Sequence, residues 1–522
     1  MKPMRLMVKW VKENISSVAA ISGFAAICAW TLIRLFDRPL NFDLVGQQVL
    51  AHQWLHGLHG GTTLGPTNYI IKMLLVYMPF DKLPGSPWLR FTGMTLLINI
   101  ASFGLLIWLL MKLWRYFGFK RSGPIYVAAF YLALLAGSVY WIGYSNSRNL
   151  EVAGGIGLVY LCLVATKAAS WRLYAGLTIL ASFLFFADPL QIYMSLIPAL
   201  IWLVIDYFVY ERRRQKLINI ARVILAAVVG IILSRLMVHA VGRLWNATIS
   251  DPTHPVTSAL TPSIKNASKQ IAMLYSGGAE AGHFVEATNI LMVAAVIVYA
   301  LRLGWLEAKA RRLVIFAAMF WMVDILIFLA SGQASQPDTS RYLIMTVPAF
   351  LLVFGLVASN LRQNRLAMAG VIFVFILNAV SLAATTVRAW DPGFTKDQHY
   401  KLAYLFVEQN NYKYAYAGMN TAPVADYLSA FKANLLPLGC QPDSSLRQAS
   451  LFFDKASFTV VGSDQQALVP VVFDGQSIVN TPSVCTPKDL QAQIGPAQTT
   501  ERLADGSQVL IYKNFQLQAL KR

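Results

Sequence analysis

Asp43 stands at the junction between an apolar run and a segment of helical periodicity, in the sequence Asn41-Phe42-Asp43. A carboxylate so placed can take a proton from an attacking hydroxyl. The same position suits a helix N-cap, whose oxygen accepts backbone N–H bonds, and both roles can coexist. His52 and His56 are four residues apart and share one helix face. That spacing can bring two imidazoles to one metal ion, although no carboxylate accompanies them at a fixed spacing, and hydrogen-bonding histidines at an interface are commoner. Asp188 precedes Pro189, and Glu151 follows Asn-Ser-Arg148-Asn at the start of an apolar run. Asp-Pro is ordinary turn chemistry, but both carboxylates could also line a cavity. Asp324 lies inside an apolar run. Carboxylates at membrane depth are costly and usually functional. Arg341 opens another run beside Tyr342, with Asp338 close enough to pair with it.

These residues are embedded in a chain of 522 residues that is 56% hydrophobic and only 13% charged. A soluble protein carries about a quarter charged residues. The shortfall falls in the first 390 residues, as apolar runs long enough to cross a hydrocarbon core of about 30 Å. The runs are continuous rather than alternating, so the spans are helices and not barrel strands. About eleven are expected, near 15–36, 90–111, 124–143, 150–168, 173–188, 190–209, 218–240, 286–304, 313–331, 342–361 and 367–388. The net charge of +19 is distributed in short basic clusters between runs, including Lys112–Arg121, Lys167–Arg172, Arg212–Lys216 and Lys309–Arg312. Alternate connections are poorer in Lys and Arg. This is the positive-inside pattern; it puts the N-terminus in the cytoplasm and residues 391–522 outside. It also accounts for the basic charge without nucleic acid, which is excluded as a partner.

Two outer connections are long, about 37–89 and 241–285. The first contains a segment, 43–58, whose spacing of Val45, Val49, Leu50, Trp54 and Leu58 predicts an amphipathic helix lying in the membrane interface. A second such segment covers 68–80. The organisation expected is a membrane module over 1–390 and an extracytoplasmic α/β domain over 391–522, with helical patterns at 398–410 and 422–433 and β-rich runs at 457–462 and 508–512. Cys440 and Cys485 both fall in that tail, where an oxidising compartment makes a disulfide between them plausible. Cys28 and Cys162 lie in apolar runs.

Four stretches resemble the GT-C superfamily of polytopic membrane glycosyltransferases, which includes protein mannosyltransferases, the aminoarabinose transferase of lipid A and bacterial O-antigen-modifying enzymes. They are GPTNYIIKMLLVYMP (65–79) after the Asp43 segment, DPLQIYMSLIP (188–198), SRYLIMTVPAFLLV (340–353) and AYLFVEQNNYKYAYAGMNTAPVADYLSAFKANLLPL (403–438). The resemblance implies a polyprenyl-phosphate sugar donor, a glycan or glycolipid acceptor, and transfer at the outer face of a bacterial inner membrane. It implies Asp43 as the base. It calls for a cationic clamp on the donor phosphate, for which Arg341 with Tyr342 comes first and Lys72 near Tyr69 second, with Arg148 and Arg235 after them. Asp188 and Glu151 would line the site, and Trp54 could stack on a sugar. The acidic pair usual in the superfamily is absent at Asp43, which leaves a divalent metal open. A flippase and a donor synthase would be natural companions.

Other functions compete. An O-antigen polymerase or ligase would use diphosphate-linked donors. A transporter of polyprenyl-linked glycans would show repeat halves and broken helices around a midplane site, and no internal repeat is visible. A scaffold displaying the tail would have no use for a carboxylate in the first outer loop.

Overall fold

The structure is a computed structural model that describes residues 2–37, 42–57, 62–64, 70–135, 149–244, 247–249, 260–276, 282–330, 343–361, 365–390, 397–412, 415–418, 421–433, 435–440, 446–448, 467–471, 491, 495–504, 506 and 508–512. Eight helices among them are long and apolar enough to cross a bilayer. Three shorter apolar helices, Gly123–Leu135, Trp171–Ala187 and Thr346–Asn360, stand at the remaining expected spans. This is a multi-pass helical membrane protein. Its helices Arg214–Leu244 and Arg365–Ala389 expose large apolar side chains such as Leu225, Ile232, Ile376 and Val380. Such surfaces are tolerable in lipid and would be a liability in water.

The chain folds into two compact units, one of Met1–Arg34, Thr95–Leu236 and Pro252–Trp390, the other of Leu35–Met94, Met237–Asp251 and Asp391–Arg522.

The first unit is the helical bundle. In lipid the hydrophobic effect does not drive helices together, so close packing and buried hydrogen bonds must. Both are present. A Cβ on Gly230 would come within 2.7 Å of Ala181 Cβ, so small residues let the helices Trp171–Ala187 and Arg214–Leu244 meet closely. Asn289 and Asn378 exchange amide hydrogen bonds of 3.0 and 2.8 Å, and Asn289 also donates to the Ser276 carbonyl. Asn219 donates to the Thr166 carbonyl at 2.9 Å, and Asn99 to Thr31 Oγ1 at 2.9 Å. Tyr131 packs near-parallel to both Phe354 at 4.9 Å and Phe375 at 5.6 Å, which are 6.4 Å from each other.

One end of this bundle is tied by charge. Asp206, fully buried, receives Lys216 Nζ at 2.7 Å on Oδ2 and has Arg312 Nη2 at 2.6 Å from Oδ1. Lys216 also reaches Glu211 at 3.3 Å. Two of the cations expected to mark topology are thereby drawn into an internal ion cluster joining the helices Ile197–Tyr210, Arg214–Leu244 and Ala308–Ala330.

The second unit joins stretches remote in sequence. Thr62–Leu64 pairs in parallel with Ala247–Ile249, linking the two long connections. The tail carries a six-stranded sheet in the order Leu446–Gln448, Leu435–Cys440, Ala415–Gly418, Ala467–Val471, Gln508–Tyr512, Thr499–Arg502. Its centre is parallel, Leu435–Cys440 beside Ala415–Gly418 and Ala415 opposite Leu468, while the outer pairs are antiparallel. Helices Gln398–Gln409 and Thr421–Leu428 match the expected helical patterns, and strand Gln508–Tyr512 the β-rich run. The run 457–462 lies outside the described residues.

The segment expected to lie in the interface is a helix, Phe42–Leu55, but it is not laid on a surface. Val45, Val49 and Trp54 are buried, and so are Gln47, Gln48 and Gln53 on its polar side. Spacing identified the apolar face; it could not reveal that the glutamines are also covered.

Candidate functional site

Asp43 is the second residue of helix Phe42–Leu55, where a carboxylate faces the positive end of the helix dipole; its side chain is outside the described ones. Nine residues along, His52 Nδ1 lies 2.9 Å from Asp81 Oδ2. Asp81 in turn pairs with Arg90 at 3.6 Å, and Arg90 Nη1 donates to the Asp81 carbonyl. The His52 ring stacks on Phe431 with centroids 3.6 Å apart and planes 8° apart. His56 is 4.1 Å from the His52 ring between centroids, with Nδ1 2.8 Å from the His52 carbonyl oxygen. Both histidines thus have Nδ1 engaged within the protein, and among the described residues no group of three or more His, Cys, Asp or Glu is placed to hold a metal. Asp81, Arg90 and Phe431 were not singled out by sequence.

Phe431 follows helix Thr421–Leu428 in a turn closed by its own N–H bonding to the Asp426 carbonyl at 2.8 Å. Its φ is +63°, a left-handed conformation costly for a bulky residue. The stack on His52 is what that backbone shape presents. Tyr427 donates its hydroxyl to the Pro87 carbonyl at 3.1 Å. Burial pushes the Tyr427 phenol pKa up, while Arg90 pulls it partly back and Asp81 adds to the rise. A water-sized cleft of about 10 Å³ runs between Gln48, Tyr77, Asp81, Arg90 and Tyr427.

Lys72 is buried in this same unit. It ends the short helix Ile70–Lys72, and a five-residue π-helix, Met73–Tyr77, follows directly. Single-turn π segments inside helices concentrate at functional sites. Trp54 is buried, so its ring is not presented to solvent. Tyr69 lies outside the described residues.

In the bundle unit, Asp188, Gln191 and Ser195 are fully buried and form a chain. Gln191 Nε2 donates to Asp188 Oδ2 at 3.3 Å, and Ser195 Oγ donates to Gln191 Oε1 at 2.7 Å. Asp188 Oδ1 also accepts the Leu190 N–H at 3.3 Å, which is Asx-turn chemistry, so the turn role is present. A second π-helix, Ile192–Leu196, follows. A Cβ on Gly155 would run into Ser195 Oγ and Gln191 Oε1, so glycine is needed for this approach. Glu151, buried in the first turn of helix Asn149–Ala168, is one turn before Gly155 on the same face. The structure therefore brings Glu151 into the neighbourhood of the Asp188 chain.

Asp324 is buried, and neither of its carboxylate oxygens has a hydrogen-bond partner among the described residues. Arg148, Arg341, Tyr342 and Cys485 lie outside the described residues. Cys440 ends strand Leu435–Cys440 with its side chain outside them, while Cys28 and Cys162 are free thiols.

No family model and no curated relative matches the chain. Among solved structures it is similar to the crystal structure of ArnT from Cupriavidus metallidurans bound to undecaprenyl phosphate, with a TM-score of 0.54 at 12% identity. The match covers 96% of this chain and 98% of that one. The chain shares the fold of that structure, in keeping with the GT-C-like resemblance of its sequence. The likeness extends through the tail as well as the bundle, so it concerns the whole architecture and not a shared set of spans.

Proposed function

We propose that this protein transfers a sugar from a polyprenyl-phosphate donor to a glycan or glycolipid acceptor, of the O-antigen or lipopolysaccharide class, at the outer face of a bacterial inner membrane. The observation that carries this reading is the end-to-end match to a fold solved with undecaprenyl phosphate bound. The basic clusters support a cytoplasmic N-terminus and a periplasmic tail.

In this reading Asp43 takes the proton of the acceptor hydroxyl. The acceptor oxygen bonds to the sugar's anomeric carbon, that carbon's bond to the phosphate oxygen breaks, and polyprenyl phosphate leaves with the electron pair. Cations offset the growing phosphate charge: Lys72 from the buried segment before the π-helix, Arg341 from the start of the late span, with Tyr342, Tyr69 and Arg148 near the donor. Asp188, in the polar chain buried in the bundle, and the buried Glu151 would bind the acceptor or sugar. His52 and its partner Asp81 hold the helix that bears Asp43.

The test is transfer in vesicles with a panel of polyprenyl-phosphate sugars and, separately, diphosphate-linked ones. Activity with a monophosphate donor, lost in Asp43→Asn, supports the proposal. Activity with diphosphate donors alone moves the assignment to a polymerase or ligase. Movement of labelled glycolipid across the bilayer without transfer moves it to a transporter.

A further inference from the structure

The charged end of the bundle holds more donors than its acceptors satisfy. Asp206 is approached on Oδ2 by Lys216 and on Oδ1 by Arg312. The Arg312 contact is close but off the line of a hydrogen bond, and Arg312 Nε has no acceptor among the described residues. The guanidinium sits between two phenols, 5.7 Å from the Tyr116 ring centre and 5.4 Å from that of Tyr210. Both phenol hydroxyls are buried without a hydrogen-bond partner among the described residues. Lys167, exposed, places its ammonium 3.8 Å over the Tyr116 ring.

Buried polar groups are nearly always paired, and an unpaired group marks a missing water or ion. Here the unmet groups are one guanidinium and two phenols, with a single carboxylate oxygen, Asp206 Oδ1, 2.6 Å from Arg312 Nη2 and an exposed lysine at the rim. The missing partner is an anion with several acceptor oxygens, which is what a phosphate offers. The surroundings indicate which phosphate. Phe208 and Val209 precede Tyr210, Leu217 follows Lys216, and all three are exposed apolar side chains. They would lie along acyl chains. Basic pockets between the ends of membrane helices are known to take lipid headgroups.

We propose that Arg312, Tyr116, Tyr210 and Lys167 bind the phosphate of an anionic phospholipid, whose chains run over the neighbouring apolar surface. The site is independent of the sugar-transfer reading. It lies at the bundle end that the basic clusters assign to the cytoplasm.

Native mass spectrometry of the full-length protein tests this, with phosphatidylglycerol, phosphatidylcholine and inorganic phosphate added separately to delipidated protein. Phosphatidylglycerol should bind at least tenfold more tightly than phosphatidylcholine, and inorganic phosphate should not displace it. The double variant Tyr116→Phe/Tyr210→Phe keeps both rings and the Asp206 pair. It should still fold, by an unchanged melting temperature, and should reduce the preference for phosphatidylglycerol severalfold, as should Lys167→Gln. Equal binding of the two lipids, or an unchanged preference in the double variant, would overturn the proposal. Displacement by inorganic phosphate at comparable concentration would overturn the lipid as its source.

Discussion

Two buried charge clusters in this protein solve the same problem in different ways. In the bundle, Asp206 is fully covered and closely approached by both Lys216 and Arg312. In the other unit, His52 and Asp81 are 23% and 14% exposed, and much of the histidine's contact is aromatic, with Phe431 on one face. The first cluster is held by charge, around one fully buried carboxylate. The second is held by shape and by a pair that water can reach. Removing a member should therefore be costly in the first case and modest in the second. That suits a helix bearing a candidate base, which must accept a substrate, better than it suits a joint between membrane helices.

The contrast is broken most severely by Asp206→Asn. Lys216 would then keep only Glu211 at 3.3 Å and Arg312 would lose its carboxylate, and a loss of about 3 kcal/mol is expected. Thermal unfolding in detergent should show a large fall in melting temperature, largely insensitive to salt because the site is buried. Next is Gly155→Ala in the Asp188 chain. The new methyl must push against Ser195 and Gln191, for about 1–3 kcal/mol of destabilisation. Adding Ser195→Ala should recover part of it, which the same unfolding measurement would read. His52→Ala removes a partly exposed pair and the stack on Phe431, and should cost about 1–2 kcal/mol. Phe431→Gly should be the mildest. It gives up the stack on His52, worth about 0.5–1.5 kcal/mol, but relieves a left-handed backbone that costs a bulky residue about 1–3 kcal/mol. A marked destabilisation by Phe431→Gly would mean that the stack, not the backbone, dominates there.

The sequence made the membrane helices legible because lipid imposes a requirement that each run meets alone, about 20 apolar residues in succession. Asp188 and Glu151 were visible for a related reason, since carboxylates stand out beside apolar runs. Asp206 was not distinguished, although it lies within the sixth expected span. Its meaning comes from Lys216 and Arg312, whose positions already had an explanation as topology markers. Asp81, in the first long connection, and Arg90, at the start of the second expected span, carried no signal until the fold set them against His52. The joining of the two long connections was also hidden, since strand Thr62–Leu64 and its partner Ala247–Ile249 are three residues each and far apart in the chain. Spacing gave helix Phe42–Leu55 but not its burial, because covered glutamines leave no signature in an apolar pattern.

The most direct test of the proposed reaction is single-turnover sugar transfer in vesicles, wild type against Asp43→Asn, with a polyprenyl-phosphate sugar saturating. Loss of a general base should slow the chemical step by about 10²–10⁴-fold while donor binding is retained. Full activity of Asp43→Asn, or no transfer by the wild type from any monophosphate donor, would contradict it.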